Sequence, residues 1–160
     1  MSAEREREYA DLGAFLDMYA THFRKIDPAD PRHPTNAGTR IAAAVGKSKA
    51  LVGLRQAIND TREDLQVLTP EQVSKLDSLL IDAGIVTLSE LRRRYSRQYK
   101  AILRRGKIRN DTEYYLVKGI SDECADLLNE AEIDQLRSML LAFELAANNS
   151  FKPKPLRGSA

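Results

Sequence analysis

Apolar residues recur every three or four positions along most of the chain, which is the spacing of one face of an α-helix. Alternation of apolar and polar residues is not sustained anywhere, and the Asn-Gly and Asp-Gly pairs typical of hairpin turns do not occur. The pattern predicts an all-α protein, a helical bundle of five to seven helices. Its first apolar stripe predicts a helix from about residue 3 to 26 and consists of Tyr9, Leu12, Leu16, Tyr19, Phe23 and Ile26.

Prolines and glycines divide the following stretch. The segment DPADPRHPTNAG, residues 27–38, contains three prolines and predicts a loop. A second helical region extends from about residue 39 to 68, and Gly46 and Gly53 predict a kink or a frayed first half within it. The next helix begins with Thr69 as its N-cap and ends at Gly84. Its inward-facing residues are predicted to be Val73, Leu76, Leu79 and Leu80.

Capping signals also mark the later helices. Thr87 and Glu90 form a capping box, which predicts a helix from Leu88 to about Arg105 that ends at Gly106. Asn110 opens a short helix in the same way, and the last helix begins near residue 129. Residues 68–80 and 128–140 share their hydrophobic and capping pattern. That similarity is open to two interpretations, an internal duplication or similar caps on similar helices.

Length and composition indicate the extent of the domain and the cellular location of the protein. The 160 residues predict a single all-α domain over 1–148, followed by a basic, proline-containing tail over 149–160. With 42% apolar but only 6% aromatic residues, the core consists mainly of aliphatic side chains. The first residues are too charged for a signal peptide, and no apolar run approaches the roughly 18 residues that span a bilayer. We therefore expect a cytoplasmic protein without membrane association.

Candidate catalytic chemistry is weak. Gly46, Lys47 and Ser48 match the end of a phosphate-binding loop, but Ile41 stands where that motif needs glycine. His22 lies on the first helix, and His33 lies in the proline-rich loop, a poor place for a firmly held general base. Cys124 is the single cysteine and is more typical of a structural residue. The sequence predicts no enzyme, no cofactor and no metal site.

The strongest feature is a run of nine basic residues without an acidic one between Arg92 and Arg109. On one continuous helix, four of them would form a single basic ridge opposite the stripe that contains Tyr95 and Tyr99. The basic ridge consists of Arg93, Arg97, Lys100 and Arg104. Its predicted extension consists of Arg94, Arg105, Lys107 and Arg109, and the tail adds Lys152, Lys154 and Arg157.

Three partners fit this charge. The acidic residues of the first helix could neutralise it within the molecule, an acidic protein surface could bind it, or the phosphates of DNA or RNA could bind it. The internal candidates are Glu4, Glu6, Glu8 and Asp11. The sequence favours a non-enzymatic helical binding module, such as a regulator, adaptor or inhibitor that contacts an acidic protein. A nucleic-acid-associated protein is the alternative, and a homodimer formed through the apolar stripes stays open.

Overall fold

The computed structural model describes residues 1–150. Within them the chain forms α-helices joined by short turns and one longer loop over residues 24–33, and it contains no strand, which confirms the all-α prediction. The chain divides into two compact units, Met1–Tyr95 and Ser96–Ala160. Each unit encloses its own cluster of buried apolar side chains.

The first unit contains five helices, which are α1 (Ala3–Met18), α2 (Pro34–Val45), α3 (Lys47–Asp64), α4 (Pro70–Asp82) and α5 (Leu88–Tyr95). Helix α1 continues into a π-helical turn, Tyr19–Phe23, so the first helix ends three residues earlier than predicted. The core receives side chains from α1, α3, α4 and α5. Its fully buried members are Leu12, Phe15, Leu51, Ile58, Leu80, Leu88 and Leu91.

The proline-rich loop ends before the predicted residue 38. Helix α2 begins at Pro34, because a proline is favourable in the first helical turn, where its missing N–H needs no partner. His33 caps this helix by accepting a hydrogen bond at Nδ1 from the Thr35 N–H, 3.3 Å away. Gly46, at a φ of 84°, then ends α2 and separates it from α3. The predicted interruption is therefore a complete break at Gly46, whereas Gly53 lies within α3.

One residue of α4 was assigned to the wrong side. Val73, Leu76 and Leu80 are buried as predicted, but Leu79 is 69% exposed. Asp77 takes the fourth inward position, because its carboxylate accepts the N–H groups of Leu88 and Ser89 at the start of α5. The predicted cap at Thr69 and the terminator at Gly84 are confirmed.

The described part of the second unit contains three α-helices, which are α6 (Arg97–Arg105), α7 (Asp111–Glu123) and α8 (Glu130–Ser150). Its core is formed by Tyr99, Ile102, Val117, Ile120 and Leu136 together with the buried Cys124. Gly106 ends α6 in the left-handed conformation, at a φ of 72°, as predicted. Helix α8 includes residues 149 and 150, which the sequence had assigned to the tail.

The prediction of one helix from Leu88 to Arg105 is wrong. Helix α5 ends at Tyr95 and α6 begins at Arg97, with Ser96 between them as the N-cap. The Ser96 hydroxyl accepts the Tyr99 N–H at 3.1 Å, and Arg62 Nη2 donates to the Tyr95 carbonyl oxygen at 3.1 Å. Side chains thus satisfy the two backbone groups that a continuous helix would pair with each other. This break and the one at Gly46 raise the number of helices in residues 1–150 to eight, above the predicted five to seven.

Both units use the same kind of connection before their α4 and α8 helices. A short 3-10 turn, Leu65–Val67 in one and Ala125–Leu127 in the other, is followed by an extended leucine, Leu68 or Leu128. The next side chain then caps the following helix: the Thr69 hydroxyl accepts the Gln72 N–H, and Asn129 Oδ1 accepts the Glu132 N–H. The sequence similarity between 68–80 and 128–140 therefore has a counterpart in local structure.

Candidate binding surface

The break at Ser96 divides the predicted basic ridge between the two units. Arg93 lies on α5, whereas Arg97, Lys100 and Arg104 lie on α6. The predicted ridge requires one continuous helix that carries all four residues, and the chain instead places them on two separate helices. The binding role of these residues stays a prediction, and their surroundings differ sharply.

Two of the three arginines of α5, Arg93 and Arg94, are paired with carboxylates of the first unit. Glu90 Oε1 accepts a hydrogen bond from Arg93 Nη1 at 3.1 Å and from Arg94 Nε at 2.9 Å. Arg94 also reaches Asp11 Oδ2 on α1 at 3.1 Å. The expected internal neutralisation therefore exists for Arg94, through one of the four acidic candidates on the first helix.

Two other acidic residues of α1 pair elsewhere. Glu8 accepts two hydrogen bonds from Arg55 on α3, at 2.8 and 2.7 Å, and Glu6 pairs with Lys47 at 3.2 Å. The Arg55 guanidinium holds the pKa of the Glu8 carboxyl below its ordinary value, although burial opposes this shift. These carboxylates therefore neutralise bases that the sequence interpretation had not considered.

Arg105 is also paired, and it stabilises the turn between α6 and α7. Its guanidinium donates to the Glu113 carboxylate and, through Nε, to the Lys107 carbonyl oxygen at 2.9 Å. Glu113 additionally accepts the Arg109 N–H at 2.8 Å. Burial raises the pKa of Glu113, but the Arg109 N–H and the Arg105 charge outweigh it, so that the pKa lies below its ordinary value. Glu113 thus connects the end of α6, the turn and the start of α7.

Five basic residues of the second unit differ from these three. Each is exposed and forms no ion pair with a carboxylate among residues 1–150, although the Arg109 charge helps to lower the pKa of Glu113. Three lie on one side of α6, three and four positions apart, opposite the buried Tyr99 and Ile102. We call this set the open basic face; it consists of Arg97, Lys100, Arg104, Lys107 and Arg109.

A cleft of about 250 Å³ opens next to the turn that carries Lys107. One wall is the turn from Gly106 to Ile108, and the other is one side of α8. The α8 side contributes Gln135, Ser138, Met139, Ala142, Phe143 and Ala146. Gln135 is fixed by a 2.8 Å hydrogen bond from its Nε2 to the Leu103 carbonyl oxygen. The lining is mostly apolar, and Lys107 is its single charged member within the described residues.

Phe143, in the cleft wall, is held by contacts with Tyr114. The Tyr114 ring stacks on it with the ring centroids 5.2 Å apart, and the Tyr114 hydroxyl donates to Glu144 Oε1 at 2.6 Å. That hydrogen bond, helped by burial, raises the pKa of Tyr114 to about 12. The ring stacking and this hydrogen bond together hold both aromatic rings in place.

The two histidines and the cysteine considered for catalysis lie in different environments. His33 is held firmly rather than loosely, which corrects the expectation from its loop position: it is 1% exposed, and Nε2 lies 2.9 Å from Thr21 Oγ1. Because Nδ1 accepts the Thr35 N–H, the geometry assigns the tautomer in which Nε2 donates to Thr21 Oγ1. His22 is exposed, Cys124 is buried, and residues 1–150 contain no group of three metal-ligating side chains.

Sequence reasoning missed the cleft, although α8 carries a signal for it. Between residues 139 and 147 the helix is apolar on nearly every side, which is typical of a helix with more than one covered face. Leu141 and Leu145 nevertheless remain 54% exposed each. The predicted tail residues Lys152, Lys154 and Arg157 lie outside the described residues.

The described helices include none that is both long and apolar enough to cross a membrane. Comparison of the chain with protein-family models, with curated proteins and with solved structures finds no match.

Proposed function

We propose that this chain is a non-enzymatic binding module whose open basic face contacts an acidic surface of another protein. The observation that carries the proposal is a contrast. Arg93, Arg94 and Arg105 each have a carboxylate partner within their own unit, whereas the five residues of the open basic face have none among residues 1–150.

Leaving these charges unpaired has a small energetic cost. Like charges three or four positions apart on a helix destabilise it by about 0.2–0.5 kcal/mol per pair. Arg97 with Lys100 and Lys100 with Arg104 therefore destabilise α6 by roughly 0.4–1 kcal/mol before salt screening. Carboxylates of a partner would remove this repulsion, and arginine favours them because it can bind both carboxylate oxygens at once.

Binding to phosphates is the alternative function, and two observations make it the weaker one. The helix after the Gly106 turn, where a helix-turn-helix protein would read bases, opens with Asp111 and Glu113. In addition, the apolar cleft beside Lys107 offers nothing to a phosphate backbone. Backbone contact through the open basic face alone is the form that a nucleic-acid complex would take.

The test compares two polyanions, fluorescent poly-L-glutamate and a double-stranded DNA of matched charge, by anisotropy at several salt concentrations. One variant combines Arg97→Glu, Lys100→Glu and Arg104→Glu. The control variant combines Arg7→Glu, Lys49→Glu and Lys75→Glu, three exposed bases of the first unit that give the same change in net charge. With about 0.5 kcal/mol per exposed ion pair, the first variant should bind poly-L-glutamate about tenfold more weakly.

The outcomes separate the hypotheses. A loss of affinity in the α6 variant but not in the control supports the open basic face. If DNA binds more tightly than poly-L-glutamate, with a logarithmic salt slope of about −0.9 per phosphate neutralised, the partner is a nucleic acid and not an acidic protein. An equal loss in both variants would show that only net charge matters, and the proposed surface would then be wrong.

A further inference from the structure

We infer that the cleft between the Gly106–Ile108 turn and α8 binds the apolar side of an acidic amphipathic helix. This inference rests on the proposed function and specifies the partner. The open basic face would contact the carboxylates of that helix, and the cleft would take its leucine or other aliphatic side chains.

The size and lining of the cleft fit side chains. Its volume of about 250 Å³ lies below the roughly 300–1,000 Å³ of pockets that enclose small molecules. Ile108, Met139 and Phe143 provide apolar walls, and methionine adapts its shape to a partner more readily than branched residues do. Ala142 and Ala146, one turn apart on α8, leave room for a second backbone to approach closely.

The apolar surface continues beyond the cleft. Leu141 and Leu145 follow one another at one turn of α8, immediately next to the cleft residues Ala142 and Ala146, and each is 54% exposed. An apolar surface of this kind on a charged protein is typical of an interaction site. This apolar surface extends along α8 for more than one turn. It therefore suits a partner helix with apolar side chains at every third or fourth position.

Charge selects the acidic partner. Lys107 lines the rim of the cleft, and no carboxylate is among the described lining residues. A helix with carboxylates beside its apolar side would pair with this rim, whereas a basic one would be repelled. A second copy of this chain would bring Lys107 against the same basic face, which makes it a poor occupant.

The experiment uses two designed helical peptides with the full-length protein. Both carry glutamates at the same positions; one has leucines on its remaining face at every third or fourth position, and the other has alanines there. Burying a leucine favours binding enough that the leucine peptide should bind about tenfold more tightly. Isothermal titration at moderate salt measures both affinities.

Two variants test the location. Ala142→Leu fills the cleft at an exposed helical position, so the fold should tolerate it, and it should abolish the preference for leucine. Ala10→Leu makes the same change on an exposed side of α1 and should leave the preference intact. Lys107→Glu, in a turn, should weaken binding of the leucine peptide without altering the helical content seen by circular dichroism.

Each outcome has one meaning. If both peptides bind equally and the α6 charge reversal weakens both, the proposed function stands and the cleft inference is overturned. If the leucine peptide loses binding in Ala142→Leu but not in the charge reversal, the cleft stands and the acidic-surface proposal fails. Binding of neither peptide overturns both. A dimer that Ala142→Leu dissociates would make a second copy the occupant and overturn the acidic helix.

Discussion

Asp77 shows how much a single side chain contributes to the arrangement of the first unit. It is fully buried on α4, and its carboxylate accepts the Leu88 N–H at 2.9 Å and the Ser89 N–H at 3.4 Å. The Ser89 hydroxyl donates to the same carboxylate. These are the backbone donors that a helix leaves unpaired at its start, and a negative charge is favourable there. Asp77 therefore joins α4 to α5 without belonging to α5.

Asp77→Ala should destabilise the protein by about 3 kcal/mol, because it leaves buried N–H groups without their charged acceptor. Asp77→Asn keeps one acceptor oxygen and should cost about half of that. Urea denaturation measures both variants, and Asp82→Ala, an exposed carboxylate of the same helix, is the control. An Asp77→Ala protein as stable as the control would show that the carboxylate does not hold α5.

Residue-scale features of this kind were the least predictable from the sequence. His33 appeared to lie in an open loop because its partner Thr21 comes twelve positions earlier in the chain. Asp77 was not among the predicted inward-facing residues, because the N–H groups that it binds come eleven and twelve positions later. Local patterns contain no information about such pairs.

At the scale of elements, the helix ends that depend on neighbouring residues were predictable. Thr69, Asn110 and Asn129 each accept an N–H three positions later, as their sequence context indicates. The end of α5 was not, because Tyr95 and Tyr99 are four positions apart and continue the apolar stripe across Ser96. Besides the local Ser96 cap, a group distant in sequence contributes here: the Arg62 guanidinium donates to the Tyr95 carbonyl oxygen.

Ser96→Ala tests this break. Removing an N-cap hydroxyl costs about 1 kcal/mol, within a range of roughly 0.5–2, because the Tyr99 N–H loses its acceptor. Chemical denaturation measures the change, and Ser138→Ala on an exposed side of α8 is the control expected to have little effect. If Ser96→Ala were neutral or stabilising, the chain would favour a continuous helix here, and the divided basic ridge would need revision.

At the scale of the whole molecule, the two buried clusters have no residue in common. Length and composition predicted one domain over residues 1–148, and they could not indicate that the apolar residues form two groups. The pairing of the surface charges could not be predicted either. The sequence contains nine bases between Arg92 and Arg109, but only the folded structure shows which of them already have partners.

Core variants can test whether the two clusters act independently. Ile58→Val in the first cluster and Ile120→Val in the second should each destabilise the protein by about 0.5–1.5 kcal/mol. Because the clusters share no residue, the double variant should show the sum of the two effects within about 0.5 kcal/mol in denaturant unfolding. A larger deviation would show that the two clusters are energetically coupled.

The repeated connection before α4 and α8 has a consequence for protein engineering. A 3-10 turn, an extended leucine that packs inward and a capping Thr or Asn join a helix pair in two different surroundings, with different flanking sequences. A linker that keeps the same geometry between different helices has a conformation that its own residues determine. Residues 65–69 and 125–129 are therefore natural starting points for a transplantable hinge between helices in designed bundles.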